Sequence, residues 1–420
     1  MNKLKKEYLF FRQQALNMRV LLITNMLYAL ALPVVEIFIG AYVMRNTNNP
    51  VMVAYYQLMM YAGIVIASLI NGLLLKKCNV KFLYAVGILV SGLSMFGMMT
   101  IQSLGFIALG IAGLTLGIAS GFFWTNRYLL SLNNTCDNNR NYFFGLESFF
   151  FTIASIGVPL LIGVFISRMD GYTIAGIQID INSAYRIVTI VVILVTLMAC
   201  LILWKGKFSN PKEKSFLFFH FHILWKKMLF LSSLKGMVQG FLVTTPAILV
   251  LQLVGDEGTL GLIQSISGVL TAVLVYVLGR IAQPQDRLKI FLGGMLIFFT
   301  GTLCNGILFS SLGVILFVLA KVIFQPLFDL AYFPIMMKTI DTVAVLEKRN
   351  EYSYILSHEF GLFLGRVFGL LLFILLAYGI SETFALKYAL IIAGGLQLLA
   401  YPLSKNIINH TNTIEHETAN

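Results

Sequence analysis

Apolar residues along this chain gather into runs of about 20 that recur from one end to the other, with short polar interruptions between them. Runs of this length span a hydrocarbon layer as helices. They predict spans at about 20–44, 52–75, 82–101, 104–132, 142–167, 185–204, 228–254, 259–280, 288–310, 312–338, 352–380 and 383–404. Two connections are longer than the rest, at about 168–184 and 205–227. In the second, Trp204 to Lys214 is polar, basic and broken by Pro211, and reads as a linker between two halves. The aromatic stretch Phe216 to Trp225 is too short to span and is expected to lie as a helix in the interface. Its His220 and His222 are two apart, point to different helix faces and do not make a metal pair. The expected organisation is a six-helix bundle over 1–204, a cytoplasmic linker with the interfacial helix over 205–227, a second bundle over 228–405, and a polar tail over 406–420.

Several residues repeat at nearly one offset. Gln57 and Gly72 in span 2 match Gln264 and Gly279 in span 8, Pro33 matches Pro246, and Tyr142 and Glu147 in span 5 match Tyr354 and Glu359 in span 11. Each match pairs span n with span n+6, which predicts two parallel-topology, pseudo-symmetric halves.

Composition fixes the solvent of these helices. Of 420 residues, 58% are hydrophobic and only 11% charged, against about 25% in ordinary soluble domains, and mean hydropathy is +0.85. A soluble enzyme, a secreted disulfide scaffold and a disordered chain are excluded. Net charge is +12, but the bases sit in short loops rather than on one solvated face, so nucleic acid is not the expected partner. With twelve spans, 22 Lys and Arg fall on the side of the N-terminus and 4 (Arg45, Arg168, Arg186, Lys387) on the other. That asymmetry places both termini in the cytoplasm of a bacterial-type membrane and demands an even number of spans. The first run is too long for a signal peptide and is expected to be retained. Cys78, Cys136, Cys200 and Cys304 have no paired spacing, so neither a disulfide nor a metal framework is expected. The chain contains no P-loop, HExxH, CxxC or channel-filter sequence, and no loop long enough for a catalytic domain. No cofactor or metal is therefore expected, and the energy source must be a gradient.

Charges inside spans are costly and face protein or water. They are Glu36, Arg127, Glu147, Lys235, Lys321, Asp329, Glu359 and Arg366, with His358 beside Glu359. Lys235 and Lys321 fall nearer the ends of their expected spans and read first as packing or interface residues. In span 11, Tyr352, Glu359 and Arg366 are seven apart and form one stripe, with Glu359 and Arg366 about 10 Å apart along the axis. Gly361, Gly365 and Gly369 give the same helix a small-residue face for close packing. Ser120, Trp124, Arg127 and Ser131 line one face of span 4, and Asn25, Tyr28, Leu32 and Glu36 one face of span 1. Span 10 contains Pro326 and Pro334, which free backbone groups and permit bending.

Twelve spans in two halves around a basic central loop, with cytoplasmic termini, resemble the major facilitator superfamily over the whole chain. The loop after span 2 reads Gly72-Leu73-Leu74-Leu75-Lys76-Lys77-Cys78-Asn79-Val80-Lys81, keeping that family's glycine and bases but lacking its acidic residue. The resemblance implies an all-α fold whose spans 1, 4, 7 and 10 line a cavity. The stripes of spans 1 and 4 would then face substrate, with Gln239 offered by span 7 and Asp329 by span 10. The resulting expectation is a monomeric secondary active transporter, not an enzyme, embedded in lipid and moving a small polar or amphipathic organic solute by alternating access with proton coupling. Asn25, Tyr28, Trp124, Arg127, Gln239, Asp329 and Arg366 are the expected substrate residues, and Glu36, Glu147 and Glu359 the expected proton carriers. A multidrug or lipid-linked-metabolite exporter is the alternative, with a polytopic membrane enzyme or a flux-free sensor behind it.

Overall fold

The computed structural model describes residues 3–75, 77–101, 104–135, 137–174, 177–178, 180–210, 220–281, 286–349 and 351–419. Among the described residues, twelve helices are long and apolar enough to cross a membrane. After a short α1 (Lys3–Gln13), the first span consists of α2 (Leu16–Pro33), a π-helical turn (Val34–Phe38) and α3 (Ile39–Thr47). The first half continues with α4 (Pro50–Leu74), α5 (Val80–Thr100), α6 (Phe106–Asn134), α7 (Asp137–Met169) and α8 (Ile181–Leu203). The second half holds α9 (Ile223–Leu253), α10 (Glu257–Ile281), α11 (Arg287–Leu308), α12 (Ser311–Glu347), α13 (Glu351–Gly379), α14 (Glu382–Gln397) and α15 (Ala400–Ala419). Beyond the helices lies a small antiparallel ribbon pairing Thr173–Ile174 with Ile177–Gln178.

Local chemistry sets several helix starts. The side chains of Asn79, Asp180, Ser310 and Ser381 accept hydrogen bonds from backbone N–H groups in the first turns of α5, α8, α12 and α14. Ser183 also donates its hydroxyl to Asp180 and holds that carboxyl below its ordinary range. His222 caps α9 through Nδ1, which accepts from Leu224 N at 3.2 Å. The expected interfacial helix is thus corrected in part. Residues 216–219 lie outside the described residues, and Ile223 to Trp225 are the first turn of the membrane-spanning α9. Trp225 is fully buried there and donates to Ser357 Oγ at 2.8 Å.

Packing divides the chain into two compact units, Met1–Ile39 with Ala62–Lys214, and Gly40–Tyr61 with Ser215–Asn420. In the first unit, α4 and α6 meet through reciprocal amide bonds between Asn71 and Asn126, at 3.1 and 2.7 Å. The loop that lacks an acidic residue is held by an amide. Asn210 Nδ2 donates to the carbonyls of Leu75 and Cys78, while its Oδ1 accepts from Val80 N.

In the second unit the small-residue face of α13 lies directly on α9. A Cβ at Gly365 would stand 1.8 Å from the carbonyl oxygen of Ser233, and one at Gly236 would stand 2.0 Å from that of Leu362. Only glycine permits backbones this close. The rings of Phe298, Phe324, Phe328 and Tyr332 succeed one another at centroid spacings of 4.6, 5.2 and 5.5 Å and fill the α11–α12 contact. The polar end of the chain continues as α15, where Asn406 accepts from Lys227 Nζ and Asn412 from Lys338 Nζ, each at 2.7 Å. At the other end of the unit, Arg45 of α3 clasps the fully buried Glu257 through Nε and Nη2, both at 2.5 Å.

Candidate functional site

Two polar clusters form inside the apolar helices, one in each unit. In the first unit Glu147 of α7 is buried. Arg127 of α6 engages it with both Nε, at 2.9 Å, and Nη2. Asn25 of α2 donates to Glu147 Oε1 at 2.5 Å and accepts from Tyr84 Oη at 2.5 Å. The carboxylate is thus matched by one bidentate guanidinium and one amide, and the amide is itself satisfied. This is how a charge survives burial. Aromatic rings enclose the cluster: Tyr28 and Tyr84 both pack on Phe123, and the Arg127 guanidinium stands 5.2 Å from the Trp124 ring and 5.6 Å from that of Phe151.

The expected residues of span 1 differ in exposure. Asn25 and Tyr28 are buried, whereas Glu36 is exposed. Glu36 lies within the π-helical turn Val34–Phe38, entered directly after Pro33. On span 4, Ser131 donates its hydroxyl to the Arg127 carbonyl of its own helix, at 2.8 Å.

The second cluster spans α9, α12 and α13. Lys235 Nζ donates to Asp329 Oδ1 at 2.6 Å. The ammonium also lies 4.1 Å from the Tyr332 ring and 4.2 Å from the Phe333 ring. Tyr332 Oη and His358 Nε2 are hydrogen-bonded at 2.5 Å, and His358 Nδ1 stands 3.8 Å from Glu359 Oε1. The reading of Lys235 as an end-of-span residue is corrected. Because α9 begins at Ile223, Lys235 is its thirteenth residue of 31, and its side chain is only 8% exposed. Asp329 is likewise at the midpoint of α12.

Arg366, at the middle of the Ser353–Gly379 span, is handled differently from Arg127. Its Nη2 donates to Gln239 Oε1 at 2.9 Å, its plane lies over the Tyr61 ring at 4.8 Å, and its buried Nε has no acceptor. Among the described residues no carboxylate is within ion-pair distance of it. Gln239 also lines a small cavity with Lys235, Leu242, Phe324, Gln325 and Asp329. The Glu359 side chain is 47% exposed, and the side chain of Tyr352 lies outside the described residues.

Of the expected residues, Asn25, Arg127 and Glu147 are brought into direct contact, with Tyr28 and Trp124 packed around them through Phe123. Gln239 and Arg366 are joined, and Asp329 shares a cavity with Gln239. Tyr61, Tyr84 and Tyr332 belong to these clusters but carry no periodic signal in the sequence. Each is one tyrosine among 18, and only helix–helix packing singles it out.

Twelve helices among the described residues long and apolar enough to cross a membrane, with polar clusters buried between them, define a polytopic membrane protein. Its sequence matches the profile of the Major Facilitator Superfamily over residues 21–324, and the chain belongs to that family. It is 23% identical over 412 residues, covering 93% of this chain and 90% of the relative, to a protein of Bacillus subtilis (strain 168) described as "Uncharacterized protein YqgE". Among solved structures, a D-xylose-proton symporter superposes with a TM-score of 0.70 at 14% identity, covering 92% of this chain and 96% of that one. A POT family transporter in complex with 5-aminolevulinic acid gives 0.69 at 12% identity, covering 93% and 96%. A nucleoside transporter, NupG, gives 0.66 at 13%, covering 93% and 99%. At these identities the structures are alike in fold.

Proposed function

We propose that this protein is a proton-coupled secondary active transporter of a small polar or amphipathic organic solute. It works by alternating access in a bacterial cytoplasmic membrane, as a monomer with both termini on the cytoplasmic side. Membership of a transporter family supports the general class. The observation that carries the proton coupling is a run of titratable groups through the second unit: Glu359, His358, Tyr332, Lys235 and Asp329. Its middle, Lys235 and His358, is buried, its Asp329 end is paired but partly open, and its other end, Glu359, is half open. A carboxylate open at membrane depth must meet water or polar groups, because lipid would not tolerate it. Glu359 is thereby placed to take up and release a proton. Glu147 is the weaker candidate, because its oxygens are already engaged by Arg127 and Asn25.

The test is flux in proteoliposomes against a library of small organic solutes, with and without an imposed pH gradient. At least one solute is expected to accumulate only under the gradient. Glu359→Gln should abolish that accumulation but retain gradient-free exchange, since exchange does not require the empty carrier to reorient. Accumulation of no solute, or accumulation that survives Glu359→Gln unchanged, would overturn the proposal.

A further inference from the structure

We infer that the transported solute is a monocarboxylate, held at Arg366 beside the cavity that Gln239, Gln325 and Asp329 line, and that it enters together with one proton. The inference rests on the transport reading above and adds the chemical class of the solute.

The starting observation is an imbalance. Arg127, Arg45 and Lys235 each face a carboxylate within the protein: Glu147, Glu257 and Asp329. Arg366, at the centre of its span, has only an amide and a tyrosine ring. A guanidinium at that depth is costly unless an anion completes it. The ring of Tyr61 covers one face, and Gln239 occupies one N–H. The remaining donors lie in the guanidinium plane, including the buried Nε that has no acceptor. A planar fork of this kind fits the two oxygens of a carboxylate. Gln239 then joins the anion site to the cavity, which at about 20 Å³ has room for about one water and is lined further by the Gln325 amide, Leu242 and Phe324; a solute held at Arg366 would have to widen it.

Charge bookkeeping sets the valence. Lys235 is matched by Asp329, and Lys321 donates to the carbonyl of Leu242 in the cavity lining. Of the charges on α13 itself, Arg366 and Glu359 stand about two turns apart and form one set. With Glu359 ionised the set is neutral and an incoming anion is uncompensated. With Glu359 protonated the set carries one positive charge and accepts one negative charge. Proton and monocarboxylate therefore favour each other's binding, and the loaded set is neutral. The groups whose charge reaches Glu359 are His358 and Arg366 on its own helix and Lys235 on α9; Tyr332 of α12 lies within reach of both Glu359 and Asp329. Glu382 and Lys387 of α14 sit in that helix's first two turns, next to the far end of α13.

The experiment measures thermal unfolding of the purified full chain in detergent. The probes are the sodium salts of acetate, lactate, glutamate, gluconate and benzoate, each against its amide at matched ionic strength. At least one acid is expected to raise Tm where its amide does not, and the effect should weaken as pH rises. Arg366→Gln should weaken binding about tenfold or more, the loss of a charge-assisted pair. Arg366→Lys, which keeps the charge but not the fork, covers the case in which the glutamine variant does not fold. Glu359→Gln should bind the acid with no dependence on pH. Stabilisation by no acid beyond its amide, or stabilisation that persists in the Arg366 variants, would overturn the anion site. Unchanged pH dependence in Glu359→Gln would overturn the shared uptake. Acid binding without any flux would instead sink the transport reading and leave the site standing, whereas flux of a neutral solute without acid binding would sink this inference alone.

Discussion

Lys235 and Asp329 meet at 2.6 Å, each near the midpoint of its helix, with three aromatic rings around the ammonium. The pair joins α9 to α12 inside the apolar part of the second unit. Two charges desolvated together offset one another, but either alone does not.

Removing one member should therefore cost more than removing both. Asp329→Ala, which leaves the buried Lys235 ammonium alone, is expected to lower stability by about 3–5 kcal/mol, and Lys235→Ala, which leaves the partly open Asp329, by less. The double variant Lys235→Met/Asp329→Leu should recover most of that loss. Unfolding midpoints in detergent, compared as a double-mutant cycle, decide the matter. Single losses that simply add in the double variant would show that the two residues do not stabilise one another.

The α9–α13 contact makes a second expectation. Gly365→Ala would drive a methyl group to within 1.8 Å of the Ser233 carbonyl, so the two backbones must separate. A cost of about 1–3 kcal/mol, typical of overpacking, should appear as a lower melting temperature and poorer yield. Gly157→Ala, at a helical glycine with no atom within 4 Å of the added carbon, should be neutral or mildly stabilising. Equal behaviour of the two variants would contradict the close approach.

What could be read before the fold was known follows from which features are local. Spans are local, since length and apolarity suffice, and all twelve expected runs became helices. The Gly361–Gly365–Gly369 face is also local, being a matter of helical spacing. Lys235 was misplaced because its helix starts at Ile223, inside an aromatic stretch whose composition resembles an interface. The π-helical turn that contains Glu36 is not local in this sense, since no hydrophobic period reveals it. Gln239 was legible as the polar residue of its span, but its pairing with Arg366 and the place of Tyr61 were not, because both depend on contacts between helices.

In the first unit the order of mutational costs is expected to follow the order of the network. Glu147→Gln should cost most, because it leaves the Arg127 guanidinium without its counter-charge. Tyr84→Phe removes the donor to Asn25 Oδ1 and should cost about 1–3 kcal/mol, the penalty of one buried unsatisfied acceptor. Trp124→Phe, at a ring already 36% exposed, should cost least. Thermal denaturation of the three variants ranks them, and a Trp124 variant worse than Glu147→Gln would mean that aromatic packing, not charge, holds this cluster.

Orientation in the membrane is the last expectation, and it depends on charge alone. Of 30 Lys and Arg residues, 22 fall on the side of the N-terminus and 4 on the other, an asymmetry that inserting membranes read directly. Epitope tags placed at Lys212 and after Asn420 should both be reached only from the cytoplasm. A tag at Tyr172, an exposed residue just before the Thr173–Ile174 strand, should be reached from outside intact cells. With twelve spans the first two must share a side, so labelling of Lys212 and the C-terminus from opposite sides would contradict the topology. Neutralising Lys76, Lys77 and Lys81 together lowers the asymmetry without touching any span core. It should produce a fraction of chains with the Tyr172 tag inside, which protease protection of membrane vesicles would detect.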